Sequence, residues 1–321
     1  MKVLFLGRGV IASVYGWALE RAGHEVEFLV RPGRAADYGD GIRLSLLDAR
    51  RGLRGTRREE TWPVTLRESL EPGHGADLIV VSVGHHRLRA AAESLAPHLG
   101  SATVLIFGNV WEEPDDVVAA LPADRVAWGF PQAGGGFDAD GVLQAALLRK
   151  VLFGTLGGAP PTAREREVRV LFATAGFTIA ERADIRGWMW AHAIADAGMF
   201  TAAFRLGSMS AMIGRRDAFR EAVLTTRELL PLLAARGVDL RRHRAFTAGY
   251  RAPAALVAAT IAATTARVPL AQISLAAHTD AFAEEPVRLV RDVIAEARRL
   301  GVPTPRLDRA DALIDAHSSA A

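Results

Sequence analysis

The 321-residue chain contains no cysteine. That excludes disulfides, thiolate metal sites and a cysteine nucleophile. Lysine is nearly missing too. Only Lys2 and Lys150 occur, and the other positive charges are arginines spread along the whole chain rather than gathered in a block. With a net charge of only +3, this distribution excludes a nucleic-acid-binding reading. No apolar run is long enough to span a membrane. The most apolar later stretch, residues 254–263, is short and alanine-rich. The apolar start resembles a signal peptide, but Arg8 and two glycines interrupt it. There is no internal repeat and no low-complexity linker. These absences lead us to expect a soluble cytoplasmic protein with no membrane or nucleic-acid partner. The length points to two domains, and a hydrophobic content of 50% is enough for two cores.

The opening residues organise the first of these domains. Residues 2–6 form a short apolar run, and Gly7-Arg8-Gly9-Val10-Ile11-Ala12 follows at once. The pattern predicts a helix over 13–22, a stop at Gly23 and a second strand over 25–30. Strand, glycine-rich turn, helix and strand in this order form the dinucleotide-binding unit. Gly7 allows the tight turn, and Gly9 lets a pyrophosphate approach the backbone. Ala12, standing for the third glycine, keeps helix and strand close. The phosphates sit over the unpaired amides of the helix start. Sites for NAD carry an acid at the tip of the second strand, whereas NADP sites use arginine for the 2′-phosphate. Here the tip reads Val30-Arg31-Pro32-Gly33-Arg34 and has no acid. Arg31 and Arg34 therefore favour NADPH/NADP, because a guanidinium binds phosphate as a planar fork.

Further strands are expected at 77–83, 102–107, 125–130, 151–156 and 177–181, with helices at 88–99 and 162–175. Residues 34–63 read as a polar stretch holding a hairpin, with 42–46 as one alternating strand. Ser82 and Val83 end the apolar run 77–83, and Gly84 follows it. Asn109 follows the next strand, at the edge where open α/β sheets bind ligands. It suits contact with the nicotinamide or the substrate; the alternative is a turn-capping asparagine. His85 and His86 lack nearby partner acids in sequence, so no metal is expected. Pro131 to Gly136, with Gln132 and Gly134, reads as a flexible loop on the same side.

From Asp184, a plausible N-cap, the pattern is helical: 185–204, 216–236, 252–266, 285–300 and 306–316. We expect a Rossmann-type doubly wound sheet over 1–183, followed by an all-helical domain over 184–321. A cleft between such domains is the usual place for a substrate beside a nicotinamide. On the first long helix, Trp188, His192 and Asp196 share one face, at i, i+4 and i+8. Hydride transfer to a carbonyl or imine leaves charge that a proton must meet. A histidine can supply that proton, and a carboxylate one turn on can orient it and favour its charged form. The alternative is a helix-surface ion pair; Trp188 and the position after the cofactor domain favour function. Glu285 is a second candidate acid, although Glu284-Glu285-Pro286 also reads as an ordinary acidic helix start.

Taken together, these motifs resemble the ketopantoate reductase (2-dehydropantoate 2-reductase) family over nearly the whole length. Gly7 to Ser13 with Tyr15-Gly16 matches the family's opening, and Arg31 falls on its NADPH-phosphate arginine. Asn109 matches its Asn-Gly at the nicotinamide, with Val110 replacing the glycine. Glu285 and Gly301-Val302-Pro303-Thr304-Pro305 match its C-terminal glutamate and closing motif. Ser274 falls on its substrate serine. The resemblance implies a 6-phosphogluconate-dehydrogenase-like fold and a homodimer formed through the helical domain. One departure matters more than these matches. The family's catalytic lysine belongs where this chain has His192, the asparagine one turn later is Asp196, and the next is Phe200. Trp188-Met-Trp-Ala-His192-Ala and Phe130-Pro-Gln-Ala-Gly-Gly135 resemble a divergent branch of the family.

The resulting expectation is an NADPH-dependent reductase of a small-molecule C=O or C=N group other than ketopantoate. In it His192 gives or orients the proton, Asp196 partners it, and Asn109 and Glu285 anchor polar groups. Trp188, Ser274, Gln132 and Gly134 line the substrate. An opine-type reductive condensation and a non-catalytic NADPH sensor are the alternatives.

Overall fold

Buried β-branched and aromatic residues in short runs make the sheet of the first half. In the computed structural model, which describes residues 1–52, 54–71, 73–276 and 281–320, the chain divides into two units, Met1–Ile185 and Arg186–Ala321.

The first unit begins β1 (Lys2–Leu6), α1 (Val10–Glu20), β2 (Glu25–Leu29), α2 (Arg34–Tyr38), β3 (Gly41–Ala49), β4 (Thr56–Pro63) and β5 (Thr65–Arg67). It continues β6 (Leu78–Val81), α3 (Leu88–Leu95), β7 (Thr103–Phe107), α4 (Pro114–Val117), β8 (Val126–Phe130), β9 (Ala133–Phe137) and β10 (Leu143–Leu148). It ends with β11 (Lys150–Gly154), α5 (Ala163–Thr174) and β12 (Thr178–Arg182). Eight strands form one sheet in the order β12-β11-β8-β7-β6-β1-β2-β5. Its pairs are parallel except β8 with β11. Strand order reverses at β1, the switch point at which doubly wound sheets open a crevice. A second sheet, β4-β3-β10-β9, stands beside it.

Gly16 brings α1 close to the main sheet. A Cβ there would lie 2.9 Å from Phe28 Cζ and 3.2 Å from the Trp62 ring. Ala12 is buried as expected, and Gly16 also makes a close approach. Two tryptophans tie α1 to β4: Trp62 Nε1 donates to Glu20 at 2.7 Å, and Trp17 Nε1 donates to Glu60 at 2.8 Å. Lys2 is structural, with its ammonium 3.1 Å from buried Glu27 on β2. Lys150 is exposed at the start of β11.

The second unit holds α6 (Ile185–Leu206), α7 (Arg216–Glu228), α8 (Leu230–Ala235), α9 (Arg244–Arg251), α10 (Ala254–Arg267), α11 (Pro269–Ala276), α12 (Glu284–Arg299) and α13 (Pro305–Ala320). The helix expected over 216–236 is two helices. Pro231 lacks an amide proton, and the break falls just before it. The expectation also omitted α9 and α11. Arg227 secures the end of α9 from α7, donating to the carbonyl oxygens of Tyr250 and Ala252 at 2.5 Å each. A tertiary clamp of this kind leaves no mark in local sequence. In the core, Arg236 stacks over Trp190 with Cζ 3.5 Å from the ring centroid and pairs with Glu296 at 3.3 Å. Among the described residues, no single helix is long and apolar enough to cross a membrane.

Candidate functional site

In the first unit the features that can hold a ligand are mostly backbone. Gly7 has φ +84°, a left-handed conformation that glycine adopts without strain. Its amide donates to Leu29 O at 2.7 Å, which fixes the turn against β2. Gly9 is the N-cap of α1. The helix has no side-chain cap and no acid in its first turn. A Cβ built on Gly7 or Gly9 meets no atom within 4 Å. Open space above two glycines, with helix amides aimed at it, suits an anion that approaches the backbone. Arg8, Val10, Ile11 and Ala12 complete this turn. The residues present therefore fit a dinucleotide pyrophosphate.

Around this turn the neighbouring strand ends converge. Ser82, Val83 and Gly84 follow β6 and are half-buried. Asn109 follows β7, one residue beyond Gly108, where a Cβ would lie 3.7 Å from Val83 O. Past β2, Arg31 is exposed, and Arg34 opens α2, paired with Asp37 at 3.2 Å. His85 is buried in a short 3-10 turn beside His86. Among the described residues there is no group of three or more potential metal ligands.

One reading needs correction. Residues 131–136 are not a flexible loop. Ala133–Phe137 is a strand paired antiparallel with β10, Gly135 opposite Ala145. The glycines mark close backbone approach, since a Cβ on Gly135 would lie 2.6 Å from the Ala145 side chain. The strand is also tied to α1, because the Gln132 amide donates to the Tyr15 hydroxyl at 2.8 Å. Burial raises the pKa of that phenol, against the Gln132 amide and the charge of Arg50. Gln132 and Gly134 thus sit on a fixed edge beside the dinucleotide helix.

A hollow of about 890 Å³ in the same unit, lined by Trp17, Arg50, Arg57 and Gly176 among others, is separate from the glycine turn. Two of its arginines are engaged: Arg50 with Asp48 at 2.8 Å, and Arg57 with Ser45 at 2.7 Å.

In the second unit, α6 is apolar and largely buried. From Arg186 to Met199 its half-exposed positions are Arg186, Trp188, His192, Ala195, Asp196 and Met199. The expected face is therefore the accessible stripe. His192 Nε2 lies 3.4 Å from Asp196 Oδ2. The Trp188 and His192 rings stack with centroids 5.3 Å apart and planes at 14°. The stack and the carboxylate together restrict the imidazole from two sides.

Sequence reasoning missed Tyr250, on α9. Burial pushes its phenol up to about 12, the charge of Asp196 adds to that, and a hydrogen bond to Thr226 opposes it. Tyr250 is therefore a neutral phenol near Asp196 at physiological pH. No local pattern signals it, because only the packing of α9 against α7 brings it there.

Two other candidates lie on other helices, Ser274 on α11 and Glu285 on α12. Glu285 is exposed in the first turn of α12, where a carboxylate favourably meets the helix dipole. The Ser274 hydroxyl donates to Leu270 O within its own helix at 2.9 Å.

Comparisons with known proteins agree with this architecture. Residues 3–158 match the model of the family described as ketopantoate reductase PanE/ApbA. A 2-dehydropantoate 2-reductase from Vibrio cholerae serotype O1 is 29% identical over 108 residues, 33% of this chain. The chain matches 31% of that curated relative's length. Among solved structures, D-mandelate dehydrogenase with NADH superposes with a TM-score of 0.71 at 15% identity, covering 100% of this chain and 99% of that one. A 2-dehydropantoate 2-reductase from Geobacter metallireducens GS-15 gives 0.66 at 17% identity, covering 99% and 100%. A PanE/ApbA family ketopantoate reductase from Ralstonia eutropha JMP134 gives 0.65 at 22% identity, covering 98% and 97%. At these identities the structural likeness establishes the fold: a Rossmann-type sheet followed by a helical unit.

Proposed function

We propose that this chain, whose residues 3–158 match the model of the ketopantoate reductase PanE/ApbA family, is an NADPH-dependent reductase of a small-molecule carbonyl or imine other than ketopantoate. The observation that carries the reading is the polar pair on an otherwise buried apolar helix. His192 and Asp196 occupy the accessible stripe of α6, where the family resemblance calls for lysine and asparagine. A lysine reads an acidic substrate as a point charge. An imidazole stacked on Trp188 offers a flat, largely apolar surface with one polar edge. That favours a bulkier and less acidic acceptor.

A dinucleotide whose pyrophosphate is held at the glycine turn would supply a hydride from its reduced nicotinamide. Hydride addition to a C=O or C=N carbon would leave the former π pair on oxygen or nitrogen, which then needs a proton. His192 would deliver a proton there, directly or through an ordered water, and Asp196, 3.4 Å from its Nε2, would hold the ring in place. Asn109 and Glu285 serve as polar anchors. Support for a nicotinamide coenzyme comes from the glycine turn and from D-mandelate dehydrogenase, a protein of like fold solved with NADH and with anilino(oxo)acetate. Support for the phosphorylated form comes from Arg31 and Arg34, with no acid at the tip of β2.

The test is NADPH oxidation against a panel of ketones and cyclic imines, comparing wild type with His192→Ala. Turnover that disappears in the variant while NADPH affinity holds supports the reading. A wild-type protein that binds NADPH and turns over nothing in the panel favours a sensor instead.

A further inference from the structure

Beyond the second strand, three side chains from two segments form a stack. Arg8 belongs to the glycine turn, and Arg34 and Tyr38 are the first and last residues of α2. The guanidinium carbon of Arg8 lies 4.7 Å from the centroid of the Tyr38 ring, and that of Arg34 lies 5.1 Å from it. The phenol thus sits against two cations that would otherwise repel. The Phe137 ring of β9 lies 5.8 Å from Arg8.

Neither guanidinium is fully satisfied. One Arg8 nitrogen donates to Gly41 O at 3.1 Å. The Nε atoms of Arg8 and Arg34 are buried and meet no hydrogen-bond partner among the described residues. Burial lowers the Arg8 pKa, and the Tyr38 phenol only partly opposes it. A cation that has lost water without gaining an anion carries a standing penalty, which a bound anion relieves. Arg34 has one acid partner, Asp37, but that pair is exposed on both sides. Such a pair is worth little and exchanges readily.

The supporting segment is fixed. Gly33 takes φ +80° to enter α2. The Glu68 carboxylate accepts from the Ala35 amide at 2.8 Å, and the Gly33 amide also holds it below the usual carboxylate range. The stack is therefore built on an anchored turn, at the edge of the dinucleotide cradle where the adenosine ribose lies in folds of this type.

We propose that Arg8, Tyr38 and Arg34 form a clip for the 2′-phosphate of the dinucleotide, with Tyr38 as the positioning residue that holds both guanidiniums. This rests on the NADPH reading above and extends it. Arg31 supplies charge at the strand tip, whereas the clip supplies a spacing that NADH cannot use. The bare anionic chemistry is that of a ribose phosphate ester, so 2′-AMP is the minimal probe.

Titration of the full-length protein with NADPH, NADH, 2′-AMP and 5′-AMP, followed by calorimetry, needs no knowledge of the substrate. Tyr38→Leu removes the ring and Tyr38→Phe keeps it. We expect Tyr38→Leu to weaken NADPH and 2′-AMP about tenfold and NADH less than about twofold, a shift of roughly one decade in selectivity. Tyr38→Phe stays within about twofold of wild type, since the ring face rather than the hydroxyl does the holding. Arg8→Gln gives the same selective loss and stands in if Tyr38→Leu fails to fold, as judged by thermal melting. A wild-type preference for NADPH that both Tyr38→Leu and Arg8→Gln leave intact overturns the clip alone. Wild-type protein that binds NADPH and NADH equally overturns the cofactor reading and the clip with it.

Discussion

The two units offer different materials for a site. In the first, the parts suited to a ligand are main-chain: a left-handed Gly7, an uncapped α1 and strand ends that converge at a switch point. In the second, they are side chains on one face of α6. A main-chain site is set by the fold and is hard to delete with one substitution. A side-chain site disappears with one atom group. If the proposed function holds, cofactor binding and proton delivery should be separable here by point mutation.

The largest expected effect tests that separation directly. His192→Ala should lower kcat by about 10² to 10⁴, the usual worth of a positioned acid, with no change in NADPH affinity. Asp196→Asn keeps the shape and loses the charge, so it should fall between wild type and His192→Ala. Stopped-flow turnover beside a fluorescence titration of NADPH distinguishes the outcomes. If both variants lose cofactor affinity as much as rate, the two units do not divide the work as described.

Next in size is Arg31→Ala. Losing a charged hydrogen-bond partner of phosphate is worth about 1.5–3 kcal/mol, or roughly 10- to 150-fold in NADPH affinity. NADH should change little. An equal loss for both coenzymes would remove the phosphate assignment and leave the glycine turn as the sole determinant.

The same contrast explains what could be read from residues alone. Gly7, Gly9 and Ala12 sit in one contiguous stretch, and their spacing dictates a single backbone path, so the cradle is visible in sequence. His192 and Asp196 are visible because a helix period of 3.6 residues puts them on one face. Tyr250 was not visible, since α9 is short and held by Arg227 of another helix. The Gly134-Gly135-Gly136 run was read as a loop because glycine usually signals one. In the fold Gly135 lets β9 lie close against β10, a requirement set by Ala145 ten positions on. Non-local packing, rather than weak local preference, separates what was read from what was not.

Packing offers a third and smaller test, on glycines of both units. Gly198→Ala on α6 would drive a methyl into the Thr226 hydroxyl and to 2.8 Å from the Ala222 carbonyl oxygen of α7. Gly16→Ala on α1 would meet mainly ring atoms of Phe28 and Trp62. A backbone carbonyl yields less than a ring edge. Overpacking of this kind costs about 1–3 kcal/mol, and we expect Gly198→Ala at the upper end and Gly16→Ala at the lower. Chemical denaturation of both variants measures it. If Gly16→Ala proves the costlier change, α1 rather than α6 is the more tightly seated helix.

The smallest effect concerns acid. Glu27 is buried on β2. Burial alone would raise its pKa, but hydrogen bonds from Arg67 and Lys2 more than offset that, and the net direction is down from 4.5. A carboxylate with a depressed folded-state pKa contributes stability that is fully present above its unfolded value. That stability is lost as pH falls through the lower, folded one. Melting temperature should therefore drop as pH is taken below about 4.5 toward 3. Glu27→Gln, less stable at pH 7, should lose less over the same interval. Asp217 in the helical unit provides the counterpart. Its carboxyl is held at about 2, chiefly by Arg215, but the pair lies on the surface, where solvent screens it. Asp217→Asn should leave the acid dependence unchanged. A flattening with Asp217→Asn and none with Glu27→Gln would reverse the ranking of buried over exposed pairs on which this expectation stands.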